Sequence, residues 1–276
     1  MIAAEAFLAA LADAGLAMYK PALDPDGNLH RFRVDGDKAG SQNGWYVLHL
    51  DAKPFGAFGS WKTGQSQTWT ADKPESLTPA ERQALQARMA ASRAARDAEQ
   101  VAIHAEAAKR AARLWERAVP ASNDHPYLIK KQVGVFGIRA MRNQIVIPLR
   151  TAGGELASLQ FIGADGRKTF LTGGRKRGCY HAIGRPQAAL CICEGYATGA
   201  TIYQSTGYAT AIAFDAGNLL PVAKALRAKF PSMCMVIAAD NDTETDGNPG
   251  LTAATAAARA VGAALAVPQF GKAADV

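Results

Sequence analysis

Cysteine is scarce, long apolar runs are missing, and aromatic residues make up only 8% of the 276-residue chain. The four cysteines, Cys179, Cys191, Cys193 and Cys234, form neither a disulfide framework nor the paired Cys-x-x-Cys spacing of structural zinc, so neither a zinc module nor an oxidising compartment is expected. Cys191 and Cys193 point to one face of a strand and read as core thiols. No apolar run approaches the roughly twenty residues needed to cross a bilayer, and Glu5 sits in the first apolar stretch with no basic segment ahead of it. A cytoplasmic protein with no membrane partner is therefore expected.

Acidic residues are also fewer than basic ones, 24 against 31, for a formal charge of +7. Where that surplus lies is more informative than its size. Residues 120–189 hold eleven Lys and Arg against three Asp and Glu, a local +8, while residues 1–77 and 190–276 are each at −2 and residues 78–119 at +3. A basic module just ahead of an acidic one suits a polyanion presented to bound metal.

Four segments follow from pattern. In 1–77, a helix from Ala3 to Ala14 ends at Gly15, and strands are predicted over His30–Val34, Trp45–Leu50, Ala57–Trp61 and Gln67–Thr70, giving a small α+β domain. The stretch from Gly56 to Thr63 has the outline of a phosphate-binding loop, but Trp61 stands where glycine is required, so ATP hydrolysis is not indicated. In 78–119, Thr78-Pro79-Ala80-Glu81 is a capping box opening a connector helix rich in Ala, Arg, Glu and Gln, which reads as an exposed spacer. In 120–189, Pro120 breaks the helix, His125 braces a turn, and a β-hairpin spans Gln144–Arg150 and Leu156–Ile162. A short strand over Lys168–Leu171 follows, then the cationic loop Gly173–Gly178. In 190–276, strands and helices alternate, which implies a parallel sheet with flanking helices, so the fold class is α/β.

Within that last segment, Glu194, Asp215, Asp240 and Asp242 each follow the carboxyl end of a buried strand, the edge where open parallel sheets place their chemistry. Such hard oxygen ligands hold magnesium, and phosphoryl transfer is the chemistry they suggest. Local alternatives remain open. Glu194 also suits the N-terminus of the next helix, and Asp240, Asp242 and Asp246 suit a turn before Asn248-Pro249-Gly250. Asp215 fits a metal contact and a turn-shaping role equally. Arg139, Arg142, Lys168, Arg175, Lys176 and Arg177 are the candidates for nucleotide or DNA phosphates, with Lys130 and Lys131 behind them. Phe170 and Tyr180 suit either base stacking or the core.

Glu194-Gly195 together with Asp240-x-Asp242 resembles the Toprim domain of bacterial DnaG-type primases, topoisomerases and related nucleases. The phrases Cys193-Glu194-Gly195-Tyr196-Ala197-Thr198, Phe214-Asp215-Ala216-Gly217-Asn218-Leu219 and Ala239-Asp240-Asn241-Asp242 look most like plasmid and phage primases, including the TraC type. His125-Pro126-Tyr127-Leu128 and the hairpin after it are similar to the module that precedes Toprim in those enzymes. The resemblance implies a DNA primase that makes RNA primers on single-stranded DNA from nucleoside triphosphates, possessed by a plasmid, phage or other mobile element. Asp240 and Asp242 would bind Mg2+, replaceable by Mn2+, and Glu194 would act as metal ligand or general base. A replicative helicase, as partner or as a further domain, is also implied.

Three departures stand out. The zinc module common in that family has no counterpart, Thr198 occupies the place of a second acid, and the chain ends near Asp275, which reads as a piece of a longer polypeptide. Rival readings are a Toprim nuclease and a non-catalytic single-strand binder.

Overall fold

The computed structural model describes residues 3–51, 53–60, 62–63, 65–71, 78–241, 245 and 247–268. The chain divides into two compact units, Met1–Val101 and Ala102–Val276.

In the first unit, α1 (Ala3–Asp13) lies beside an antiparallel sheet of order β1-β2-β3-β4, formed by His30–Phe32, Gly44–His49, Phe55–Ser60 and Ser66–Thr70. Phe7 and Leu11, one turn apart on the helix, are fully buried against Tyr46, Leu48 and Phe58, the i, i+4 pairing an amphipathic helix presents to a core. Gly15 closes the helix at φ +72, while Leu16 N–H donates to the Leu11 carbonyl at 2.8 Å, a turn that costs glycine no Cβ clash. Of the segment with the outline of a phosphate loop, Gly56 to Ser60 belongs to strand β3, and Trp61 lies outside the described residues. The strand's backbone amides are therefore spent on the sheet rather than left to wrap phosphate.

The long helix α2 runs from Pro79 to Arg117. Its composition suggested an exposed spacer, and the structure corrects this for its C-terminal part. Ala107 and Ala111 are fully buried, and Ala111 packs with Val146 and Leu159. Alanine carries little hydrophobic signal, yet its small side chain lets a helix approach a sheet closely. In the first unit, Arg88 lies 4.9 Å from the Phe55 ring and reaches Asp51 at 2.6 Å.

After α2, the second unit builds an antiparallel sheet of order β5-β6-β7-β8-β9, from Val119–Pro120, Arg139–Met141, Gln144–Arg150, Leu156–Gly163 and Lys168–Phe170. The predicted hairpin is β7–β8. Helix α3 (Pro126–Lys131) interrupts the sheet's early strands, and the His125 side chain caps it by accepting from Tyr127 N–H at 3.3 Å.

The last sheet has the order β10-β12-β11-β13-β14. Its strands are His181–Ile183, Ala209–Ile212, Ala189–Cys193, Cys234–Ala238 and Ala264–Ala266, in that order across the sheet, and α4 (Tyr196–Thr206), α5 (Ala216–Lys229) and α6 (Pro249–Val261) connect the parallel ones. Four strands are parallel; β10 pairs antiparallel with β12. Leu190 and Ile192 of β11 face Leu219, Val222 and Ala257 from α5 and α6. Cys193, Tyr196 and Ala200 instead join Tyr127, Leu128, Ile145 and Ile147. The basic module is thus fused to one face of the parallel sheet through a shared core, and the Tyr196 hydroxyl reinforces it by accepting from Phe136 N–H and donating to the Gly134 carbonyl, both at 2.9 Å.

His181 on β10 is buried, and its Nε2 donates to the Phe136 carbonyl at 2.8 Å. Burial pushes its pKa down from 6.5 to about 4. The folded chain therefore holds it neutral while the unfolded chain takes up a proton below pH 6.5. That stabilisation is complete above pH 6.5 and is lost as the pH falls toward 4, by about 3 kcal/mol at 1.36 kcal/mol per pH unit. Urea denaturation between pH 7 and pH 4 checks this, and His181→Gln is expected to flatten that part of the profile.

Candidate active site

Strand β11 is central, with β12 on one side and β13 on the other. The chain leaves β11 for β12, then crosses back over to β13. Loops from β11 and its two neighbours therefore diverge at one edge, the switch point where open α/β sheets form their clefts. Register places Cys193 beside Ile212 and Ile192 beside Ile237, so Glu194 and Asp240 leave adjacent strands at the same end.

Glu194, through its carboxylate, and Asp240, through its backbone and Cβ, both come up against the start of α6. A Cβ placed on Gly250 would stand 2.7 Å from the Asp240 carbonyl oxygen, 3.2 Å from Glu194 Oε1 and 3.3 Å from Asp240 Cβ. Only a residue without a side chain lets the helix come this close. The α6 N-terminus is itself capped by Asn248, whose Oδ1 accepts from Leu251 N–H at 3.4 Å and whose Nδ2 donates to Asn241 at 2.8 Å. Both Glu194 and Asp240 are half-buried. Beneath them, burial first, and the two carboxylates after it, push the Cys193 thiol far above its ordinary range, which makes it an inert core group. Asp242, Asp246 and Asp275 lie outside the described residues.

Asp215 is placed differently. Its Oδ1 accepts from Asn218 N–H at 2.9 Å, capping α5, and its Oδ2 accepts from Lys176 Nζ. Both oxygens thus accept from protein partners in the turn after β12, the arrangement of the turn-shaping reading. The preceding residue, Phe214, has φ +75, an uncommon conformation for a bulky side chain, and its N–H donates to the Glu194 carbonyl at 2.8 Å.

The cationic candidates separate into two groups. Lys168 Nζ lies 3.9 Å from where a Cβ on Gly195 would be, on the same motif that carries Glu194, and Thr198 Oγ1 is 3.7 Å from that point. Lys176 lies 5.3 Å from the Phe170 ring as well as on Asp215. Arg175 and Arg177 flank it and are exposed. Arg139, by contrast, donates to the carbonyls of Trp115 and Ala118 and rests 4.6 Å from the Trp115 ring, closing the end of α2. Arg142 sits in the β6–β7 turn at φ +54. Of the two aromatics, Tyr180 is buried in the core, whereas Phe170 is 37% exposed and meets Phe214 edge-on.

Sequence reasoning missed the side chain of Asn218, which is 2% exposed. Its Oδ1 accepts from Gly178 N–H at 2.8 Å, and its Nδ2 lies 3.2, 3.0 and 2.8 Å from the carbonyls of Lys176, Cys179 and Ala213. Three of these four bonds reach some forty residues back along the chain, so no local pattern announces them. The helix brace was missed as well: Arg110 donates to the Thr172 carbonyl at 2.6 Å.

Among the described residues of the other unit, one further group could offer metal ligands: Asp24, Asp26 and His30 have ligand atoms within 4.8 Å of one another. An Asx turn accounts for it. Asp26 accepts from His30, then from the backbone and side chain of Asn28, and these bonds hold its carboxyl down at about 2.

The switch-point sheet, with acids at its carboxyl edge, is of the Toprim class: residues 188–269 match the Toprim domain family. Over 257 residues, 89% of this chain, the sequence is 42% identical to a DNA primase TraC of Escherichia coli. A second Escherichia coli DNA primase TraC is 41% identical over 261 residues, 90% of the chain. The chain spans about a quarter or less of those relatives, 24% and 18% of their lengths. Among solved structures, a DnaG catalytic core aligns with 63% of this chain and 73% of its own, at 11% identity and TM-score 0.40. Among the described residues, no helix is long and apolar enough to cross a membrane.

Proposed function

We propose that this chain is the primer-synthesising part of a TraC-type DNA primase, joining ribonucleotides on single-stranded DNA in a magnesium-dependent nucleotidyl transfer. One observation carries the reading: Glu194 and Asp240 meet at Gly250, with the Lys168 ammonium close by on the Glu194-Gly195 side. The strong likeness to two TraC primases over nine-tenths of the chain supports the substrate class.

The donor set suits a hard divalent cation, since it consists of carboxylates from two adjacent strand ends, with no thiolate or imidazole grouped with them among the described residues. Glu194 and Asp240, with Asp242 from the same motif, would hold the ion. Bound Mg2+ would supply charge stabilisation to phosphate oxygens and orient the reacting groups. The chain's own residues do the rest. Glu194 is the carboxylate best placed to accept the proton of the attacking sugar hydroxyl, whose new bond to the α-phosphate releases pyrophosphate. Lys168 contacts the triphosphate, and Lys176 with Arg175 and Arg177 holds template phosphates. Arg139 has no part in this, because its guanidinium closes α2. A replicative helicase is the partner, or further domain, beside which such an enzyme would work.

Labelled ribonucleotides incubated with the chain, Mg2+ and single-stranded DNA are expected to give extension products that disappear with chelator. Shortened template with no extension would make the chain a nuclease instead. Lys168→Ala is expected to weaken nucleoside triphosphate binding without altering base preference, and to leave the slope of log affinity against log salt for single-stranded DNA unchanged. Fluorescence anisotropy across a salt series checks it.

A further inference from the structure

We propose that Asn218 is a positioning residue for the template-binding loop, an assignment that rests on the primase reading above and goes beyond it. The loop Gly173–Gly178 carries three consecutive cations, Arg175, Lys176 and Arg177, on a glycine-rich backbone. Left alone, such a segment samples many conformations, and ordering it costs entropy on every binding event.

Three ties remove that freedom here. At the loop's start, Gly173 packs against α2, where a Cβ would stand 3.1 Å from Ile103 and 3.5 Å from Arg110, and Arg110 holds the Thr172 carbonyl. At its end, Asn218 accepts from Gly178 N–H and donates toward the carbonyls of Lys176 and Cys179, while also bonding Ala213 at the end of the β12 region. In its middle, Lys176 is drawn to Asp215, the cap of the same helix that carries Asn218. The Asn218 amide therefore links two things that must be in register: the backbone that carries the cations, and the chain following β12, whose Phe214 N–H is bonded to Glu194.

The argument turns on burial and stoichiometry. A primary amide has two N–H donors and one carbonyl acceptor, and at 2% exposure every one of them must find a partner in the protein. Asn218 finds them on both sides of the seam. Alanine would leave the Gly178 amide and the loop carbonyls to water, releasing the loop while the hydrophobic contacts of Leu219 and Val222 on α5 remain. Aspartate would keep the acceptor for Gly178 and lose the donors.

The test compares wild type, Asn218→Ala, Asn218→Asp and Lys176→Met in the same chain, with three readouts. Trypsin cleavage within Arg175–Arg177 reports loop order without reference to activity. Binding of a single-stranded oligonucleotide across a salt series reports presentation of the cations, and primer extension reports KM and kcat. For Asn218→Ala we expect cleavage about tenfold faster, a template KM raised on the order of tenfold with kcat within about threefold, and an effect largely absent when Lys176→Met is already present. Unchanged template binding despite faster cleavage overturns the proposal, as do fully additive effects of Asn218→Ala and Lys176→Met. Global unfolding of both Asn218 variants overturns it too, since the residue would then serve the core. Absence of extension by wild type defeats the primase reading alone, and the cleavage and binding arms still judge Asn218.

Discussion

Replacing Asp240 by Asn, or Glu194 by Gln, is expected to lower primer synthesis on the order of a thousandfold while leaving the fold intact. Both residues lie at strand ends, half-buried, with the cores beneath them made by their neighbours Cys193 and Ala239. Each substitution preserves shape and removes one negative charge. In a phosphoryl-transfer site the protein contributes mainly position and electrostatic stabilisation, so a missing charged oxygen at the reacting phosphate is worth several kcal/mol, and each 1.36 kcal/mol is a factor of ten in rate. Thermal melting should move little. Extension assays at saturating template, with melting curves on the same samples, measure both halves of this expectation. A variant retaining more than a tenth of wild-type rate would remove that residue from the chemistry.

Gly250→Val is expected to injure the same site from behind. The added Cβ must stand within 2.7 Å of the Asp240 carbonyl and 3.2 Å of Glu194 Oε1, distances at which something has to move. The nearest obstacle is backbone, which cannot swing aside as a flexible side chain would. Helix α6 must therefore retreat from β13, carrying the turn that holds Asp240 with it. Overpacking of this kind costs about 1–3 kcal/mol. The displacement of the carboxylates is expected to cost activity on the order of a hundredfold, since displacements near an ångström suffice for that. Denaturant titration and extension rates give the two numbers separately. A stable, fully active Gly250→Val would mean that the close approach of α6 has no bearing on the site.

Sequence and structure agree most closely in the alternating region from Leu190 onward. There each buried strand is a short continuous apolar run, α5 and α6 begin at the side-chain caps Asp215 and Asn248, and the acids follow the strand ends. The Glu194–Asp240 encounter was legible because parallel neighbours must end together. Strand β10 was not legible. His181-Ala182-Ile183 is three residues long and carries a buried histidine, and only its pairing with β12 makes it a strand. The spacer reading of α2 failed at Ala107 and Ala111 because burial of alanine leaves no trace in a hydrophobic pattern.

Charge composition misled in a similar way. Arg139 counts toward the local +8, but its position over Trp115 depends on contacts twenty-odd residues apart. Asp215 has two readings on sequence alone, and the bonds that support the turn-shaping one come from Lys176 and the Asn218 backbone N–H. Asn218 itself shows the limit most clearly. Its backbone position at a helix start was visible, whereas three of the four groups its side chain serves lie on another segment, the Gly173–Gly178 loop and Cys179 after it.

The most direct measurement is an anomalous-scattering map from crystals soaked with Mn2+ and a nucleoside triphosphate. The account predicts a manganese peak between Glu194 and Asp240, with triphosphate oxygens on the Lys168 side, and loss of the peak in Asp240→Asn. Manganese bound only at Asp24, Asp26 and His30, or a nucleotide seated away from the strand ends, would contradict it.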